Sequence, residues 1–373
     1  MVLFFIAVAA VAALLGVYLA VLFSRMLRTF GMEEKKKLRR VLSACFVIIC
    51  FALIFLSMGY GVVILYEFLL ASAFMEILNL ILKRTGSSSF REKWKKIHGS
   101  SILSVLIASA VLIYGFINVE NVVMTHYDLT TEKALPSGHV KIALIADLHA
   151  GTTFTADEFK KECDRIEEEK PDVLLLAGDI FDEGTSASLM KKMTQHLGGI
   201  HTRYGAFYIF GNHDNGTMGN NRNFSDKEIT EEMEKNGITV LTDETETVAG
   251  KIDITGRLDY SFNSYAGERA SSHELLKDRD KKRFQLVMDH QPKDLKVNAK
   301  EGADLQVSGH THAGQLWPLG LLGPVLRFNE MTYGIEKIGD MNCIVTSGIA
   351  VWGAPFRTEK HSEAVIINIE QSR

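Results

Sequence analysis

Long uncharged apolar runs dominate the first third of the chain, and short ones separated by polar loops fill the rest. Residues 2–23 (VLFFIAVAAVAALLGVYLAVLF) carry no charge. At about 1.5 Å per residue, a helix of that length crosses a bilayer core of roughly 30 Å. A cleaved signal peptide would need basic residues ahead of its apolar run, and none precedes this one. Residues 41–82 are almost wholly apolar, interrupted at Gly59-Tyr60-Gly61. One helix of that length would reach about 63 Å, twice the core, so two spans are expected, 41–58 and 62–82, joined by a glycine turn. Residues 101–117 give a fourth span. The pattern predicts an all-α transmembrane bundle of about four helices within residues 1–118.

Charge in the loops sets the expected orientation. Arg25, Arg28, Lys35, Lys36, Lys37, Arg39 and Arg40 follow the first span, and Lys83, Arg84, Arg91, Lys93, Lys95 and Lys96 follow the third. Both loops are expected in the cytoplasm. The fourth span then exits, which puts everything after it outside the cytoplasm. Glu67 and Glu76 fall inside the third span, where a carboxylate is costly. Nine residues at about 100° each place them on opposite helix faces, so they do not form one site. Each is read as protonated or paired with a neighbouring helix.

Residues 119–138 are polar, end in Pro136-Ser137-Gly138, and read as an irregular linker. In 139–373, short apolar runs alternate with helical patterns. Strands are predicted at 140–146, 172–177, 205–210, 284–289, 304–308, 343–347 and 364–369, and helices at 156–169, 186–198 and 226–236. That alternation predicts an α/β sandwich.

Charge sharpens the division. The first 133 of the 373 residues carry 14 basic and 8 acidic side chains; the remainder carries 27 and 37. A net-acidic second part argues against nucleic acid as a partner and suits a site that holds cations. Cys45, Cys50, Cys163 and Cys343 form no CxxC or disulfide pattern.

The chemistry lies where the apolar runs end. Asp147-Leu148-His149 follows one predicted strand, and Gly178-Asp179-Ile180-Phe181-Asp182 follows the next. Gly211-Asn212-His213-Asp214, His290 and Gly309-His310-Thr311-His312 each follow another. Strand ends of α/β folds are where ligand sites assemble. In Asp-x-His and His-x-His the side chains lie two apart, so an extended backbone turns both to one side. Carboxylate, imidazole and one amide suit Mn, Fe, Zn or Co, and the lack of cysteine argues against a structural zinc site. Gly178, Gly211 and Gly309 are expected to supply unusual φ or close backbone approach. His98, His126, His139, His196, His201, His273 and His361 lie outside these clusters and are not expected to be ligands.

The order Asp-x-His, Gly-Asp-x-x-Asp, Gly-Asn-His-Asp, His, Gly-His-x-His resembles the calcineurin-like metallophosphoesterase superfamily. The ending Gly-His-Thr-His-Ala-Gly-Gln (309–315) and the apolar N-terminal part resemble its YkuE/YaeI-like and transmembrane branches. The resemblance implies a four-layer α/β sandwich and an integral protein of a bacterial cell membrane. It implies two divalent cations, one held by Asp147, His149, Asp179 and His312, the other by Asp179, Asn212, His290 and His310. It places His213 beside the substrate, with Asp214 orienting its ring, and Asn212 on a phosphoryl oxygen. The expected reaction is in-line attack on a phosphoester by a hydroxide shared between two cations.

The substrate is less defined. Leu316–Leu326 is apolar and rich in Gly and Pro, and Trp352 lies near a second such stretch. The segment reads either as a rim touching membrane or a lipid tail, or as packing beneath the domain or against the transmembrane bundle. Lipid-linked phosphate is the leading class; a soluble phosphodiester or nucleotide is the alternative. A reading from another class is a membrane sensor or binding protein with an inactive phosphoesterase-like domain.

Overall fold

The computed structural model describes residues 2–57, 59–216, 222–264, 269–326 and 329–372. The chain divides into two compact units, Met1–Gly115 and Phe116–Arg373. In the first, α1 (Val2–Thr29), α2 (Lys36–Leu56) and α3 (Tyr60–Leu82) are followed by α4 (Ser88–Ser100) and α5 (Ile102–Glu120), whose last turn belongs to the second unit. Among the described residues four segments are long and apolar enough to cross a membrane: Ala9–Thr29, Lys36–Leu56, Tyr60–Leu82 and Ile102–Glu120. Gly59 turns the chain between α2 and α3 at φ 102°, a conformation only glycine takes readily. Residue 58, the expected end of the second span, lies outside the described residues.

The basic stretch after α3 is not all loop. Ser87 caps α4 by accepting from Phe90 N, and Trp94 and His98, one turn apart, form its buried face. Trp94 Nε1 donates to Asn79 Oδ1 at 3.0 Å. Glu76 has partners on neighbouring helices: Arg25 at 2.5 Å and His98 at 3.1 Å.

The second unit is built on twelve strands, among the described residues, in two six-stranded sheets. Sheet one contains β1 (Val122–Thr131), β2 (His139–Ile145), β3 (Val173–Ala177), β4 (Ala206–Ile209), β5 (Ile238–Val240) and, late in the chain, β12 (Ser362–Gln371). Sheet two contains β6 (Glu244–Val248), β7 (Ile252–Gly256), β8 (Phe284–Met288), β9 (Leu305–Ser308), β10 (Gly334–Ile338) and β11 (Met341–Val345). Their orders are β1-β12-β2-β3-β4-β5 and β10-β11-β9-β8-β7-β6. All seven predicted strands are present. The segment 119–138, expected to be an irregular linker, instead carries β1, paired in parallel with β12.

Helices α6 (Ala156–Glu168), α7 (Ala187–Gly198) and α8 (Asp226–Lys235) cover sheet one; α9 (Ser272–Leu276) and α10 (Leu295–Lys300) cover sheet two. A further helix, α11 (Leu319–Val325), follows the His-x-His cluster. Thr155 and Ser225 close capping boxes with Glu158 and Glu228 at the starts of α6 and α8. Strand β3 shows why its sequence is apolar throughout. Leu174 and Leu176 pack with Phe159, Met193 and Ile229 under the helices, while Val173, Leu175 and Ala177 pack with Leu286, Val307 and Ile344 between the sheets. Both faces of a parallel strand are covered, so both must be apolar. A third cluster, with Val287 and Cys343 against Leu275 and Leu295, completes four layers, helix–sheet–sheet–helix. Because β2, β3 and β4 run parallel, as do β8 and β9, their C-terminal ends open on one edge of each sheet.

Candidate metal centre

That edge brings the polar clusters together. Asp147 and His149 follow β2, Asp179 and Asp182 follow β3, and Asn212 and His213 follow β4. His290 comes after β8, and His310 and His312 after β9. Five of these residues have left-handed backbones: Asp147 (φ 56°), His149 (41°), Asp179 (52°), His310 (70°) and His312 (49°). Each such residue costs about 1 kcal/mol or more, and strain of this kind concentrates at working sites. Backbone bonds hold the strained turns. Asp147 N donates to Gly178 O and His149 N to Asp179 O, both at 3.0 Å. His310 N reaches the Asp147 carboxylate at 2.9 Å, and His213 N reaches Asp179 Oδ1 at 2.8 Å. Gly178 does have a positive φ, 87°, whereas Gly211 and Gly309 are needed for space. A Cβ on Gly211 would lie 2.1 Å from Asp179 Oδ1, and one on Gly309 2.3 Å from Asp147 Oδ2.

The ligand atoms converge in overlapping groups: His149, Asp179 and His213 form one, and Asp182, Glu183 and His213 another. Asp147, His149 and His312 bring theirs within 4.8 Å of one another, as do Asp179, His290 and His310. His149 Nε2 is 3.2 Å from His312 Nε2 and 3.9 Å from Asp179 Oδ2; His312 Nε2 is 3.6 Å from Asp147 Oδ1. On the other side His290 Nε2 is 3.0 Å from Asp179 Oδ2, and His310 Nδ1 is 2.9 Å from Asn212 Oδ1. The seven expected metal ligands are therefore gathered in one place. The histidines outside the motifs enter none of these groups among the described residues.

These atoms fit cations. His290 Nδ1 donates to Ala177 O at 2.8 Å, which fixes the ring and leaves Nε2 facing the cluster. That Nε2 is buried and misaligned for a hydrogen bond to Asp179 despite its closeness. Two imidazole nitrogens 3.2 Å apart beside two buried carboxylates form a donor set that a divalent ion satisfies. Asp182, whose motif position carried no expected role, places Oδ2 3.4 Å from His149 Nδ1 and so backs that ring.

The electrostatics follow from packing these groups together. Burial, together with the charge on Asp179, pushes Asp147 up to about 6 against the pull of His290. Burial also works against charge on Asp179, but His290 outweighs it and holds that carboxyl well below the usual range. In return Asp179 raises His290 well above an ordinary imidazole, over the opposing effect of burial. Burial and the neighbouring His290 lower His310 to about 4. Ligand side chains must be unprotonated to bind, so cation binding here displaces protons.

One expectation fails. Asp214 does not orient the His213 ring. Its carboxylate accepts from Phe181 N at 2.7 Å and Gly211 N at 2.9 Å, tying the β3 and β4 loops together. Asp214 is adjacent to His213 in sequence, but its side chain turns to the unpaired amides of these loops. The ring of His213 meets Glu183 instead, with both carboxylate oxygens 3.1 Å from Nδ1. Trp352 lies against the same ring at 5.5 Å between centroids. Sequence reading passed over Glu183, which belongs to no recognised motif, and Arg357. The Arg357 side chain is fully buried and donates to His312 O at 3.1 Å, Ser347 O at 2.8 Å and Ala350 O at 2.6 Å. Burial lowers it to about 10, which leaves it charged at neutral pH.

The sequence profile of the calcineurin-like phosphoesterases matches residues 140–314, which include all five clusters. The Bacillus subtilis metallophosphoesterase YkuE is 25% identical over 287 residues, covering 73% of this chain and 96% of that one. The Danio rerio transmembrane protein with metallophosphoesterase domain is 25% identical over 342 residues, 85% of this chain and 73% of that one. The chain spans 60% of the length of the Helicobacter pylori relatives it matches. An Aquifex aeolicus metallophosphoesterase is 31% identical over 267 residues, 70% of this chain and 97% of that one. With almost all of that relative matched at this identity, the chain belongs to the calcineurin-like phosphoesterase family.

Proposed function

We propose that the chain is a membrane-anchored phosphoester hydrolase that works with two divalent cations. In this reading residues 1–118 are the anchor and 139–373 the catalytic domain. The observation that carries it is the place of Asp179 between the two groups, its Oδ2 3.0 Å from His290 Nε2 and 3.9 Å from His149 Nε2, where it could bridge two ions. Asp147, His149 and His312 would complete one set, and Asn212, His290 and His310 the other. When bound, the cations supply a nucleophile from water near neutral pH and draw charge off the phosphoryl group. Mn, Fe, Zn and Co all suit these donors.

The chain's own residues divide the remaining work. Asn212 presents its amide to a phosphoryl oxygen. His213, backed by Glu183, stabilises developing charge or gives a proton to the leaving oxygen. Asp214 keeps the β3 and β4 loops in register. A phosphodiester or a lipid-linked phosphate is the substrate class, the exposed apolar segment 316–326 favouring the second. An inactive binding module would have no need of a complete ligand set.

The test is hydrolysis of bis(p-nitrophenyl) phosphate by the full chain in detergent, with each of the four metals and with chelator. Metal-dependent release of p-nitrophenol is expected; none with any metal would overturn the reading. The basic loops favour a catalytic domain outside the cytoplasm. A reporter inserted at residue 125 that is active only in the cytoplasm would reverse that orientation.

A further inference from the structure

From Leu316 to Leu326 the chain has no charged side chain. Helix α11 turns Leu321, Val325 and Leu326 to solvent; Val325 is 74% and Leu321 63% exposed. Trp317 beside them is 55% exposed. An apolar patch of this kind is normally covered or lies in an apolar phase.

Hydrogen bonds show what stands next to the patch. Trp317 N donates to Thr358 Oγ1 at 3.0 Å, and Gly320 N to Glu359 Oε2 at 2.9 Å. Thr358 N and Glu359 N both return to Gln315 O, at 3.0 and 3.1 Å. The same stretch grips the final turn of α5. Asn118 Nδ2 donates to Arg357 O at 3.1 Å and to Lys360 O at 2.6 Å. Asn118 Oδ1 lies 2.8 Å from His361 Nδ1, and Ser362 Oγ donates to Val119 O at 2.8 Å. The patch is thus bonded to the segment that holds the end of the fourth apolar helix. All these residues belong to the second unit.

We infer that α11 and Trp317 sit in the membrane interface, with the apolar side chains at the boundary between headgroups and acyl chains. The occupant of the patch is the lipid bilayer. A span that ends at Glu120 brings its own last turn to the membrane surface, and whatever is bonded to that turn comes with it. Tryptophan and short apolar helices are suited to this depth. The metal cluster is close by. Gln315 Nε2 donates to Trp352 O at 3.0 Å, and the Trp352 ring packs on His213. A site so placed takes phosphoesters held at the membrane surface; this last step rests on the hydrolase reading above.

Two measurements separate the steps. The full chain is reconstituted in phosphatidylcholine vesicles with plain or acyl-brominated lipid, and tryptophan emission is compared with that of Trp317→Phe. The Trp317 share of the emission should be quenched by bromine. An unquenched share overturns the membrane seat, whether water or a protein partner covers the patch. The second measurement compares bis(p-nitrophenyl) phosphate with a diacylglycerol p-nitrophenyl phosphodiester in the vesicles. The exposed-site variant Leu321→Glu/Val325→Glu should lower the lipid-borne rate by about tenfold or more and leave the soluble rate unchanged. Equal rates in variant and parent on the lipid probe, or an equal fall on both probes, overturns the substrate step. Failure of the parent on both probes removes the hydrolase reading and the substrate step with it; the quenching result then still decides the membrane seat.

Discussion

Replacing Gly309 by alanine tests whether the Asp147 carboxylate is placed as a ligand or only packed. The new Cβ would lie 2.3 Å from Asp147 Oδ2 and 2.7 Å from Ala146 Cβ, where ordinary contact begins at 3.4 Å. Gly309 has no positive φ, so alanine adds no backbone strain and acts through the clash alone. The carboxylate has to retreat by about 1 Å, and its bonds from His310 N, at 2.9 and 3.0 Å, go with it. Metal–ligand distances tolerate only about 0.2 Å. Affinity for the cation shared by Asp147, His149, Asp179 and His312 should fall roughly 10- to 100-fold, and kcat about 100-fold. The assay is metal content by mass spectrometry after dialysis against graded manganese, alongside hydrolysis of bis(p-nitrophenyl) phosphate. Gly184→Ala, where the added Cβ meets nothing within 4 Å, should match the parent in both. A Gly309→Ala protein that keeps both ions and the parent rate would show that Asp147 does not act as a ligand.

Other changes probe other parts of the site. Asp179→Asn should remove both ions and all activity; retention of one tightly held ion would rule out its bridging role. His213→Ala should cut turnover by about 10²–10⁴-fold with metal content unchanged, and loss of both metals would refute the catalytic role. Glu183→Gln should lower kcat and alter its pH profile without changing KM or metal content, whereas an unchanged profile would mean that Glu183 does not act through His213. In chelated protein, burial and the Asp179 charge push Asp214 up to about 7. The folded chain then holds a proton that the unfolded chain releases near 4, so this contribution to stability is whole below about 4 and lost as pH rises through 7. Asp214→Asn should flatten the melting temperature over that window, and an unaltered slope would contradict the assignment.

What could be read from the sequence tracks unbroken apolar runs. Strands such as β3 and β8, packed on both faces, were found from their apolar runs, whereas β7, Ile252–Gly256, equally buried, escaped because Asp253, Thr255 and Gly256 break its run. Strand β6, Glu244–Val248, escaped because it is a largely exposed sheet edge whose sequence alternates Glu and Thr. Strand β1 is likewise an edge, with His126, Asp128 and Thr130 on its open side, so it resembled a linker. Helix α4 buries Trp94, His98, Gly99 and Ser100, too few apolar side chains for a periodic signal. At the site, residues within motifs were legible because their order along the chain repeats the order of the strand ends. Glu183 and Arg357 were not, since the first is an ordinary acidic residue in a loop and the second meets His312 only through the fold.

The pairing of β1 with β12 has a consequence for how the domain is made. β12 lies between β1 and β2, so the strand that emerges first from the membrane helix has no neighbour until one of the last strands has been synthesised. During synthesis β1 waits as an open edge, and so does β2 on that side, both exposed to wrong partners. Sheet one closes late, by insertion of a strand into its interior. Removing residues from 362 onward would split the sheet in two instead of trimming its margin. Once inserted, β12 also carries the load. A pull on the fourth apolar helix runs along β1 in shear against the whole length of β12, and the hydrogen bonds of that parallel pair must give way together.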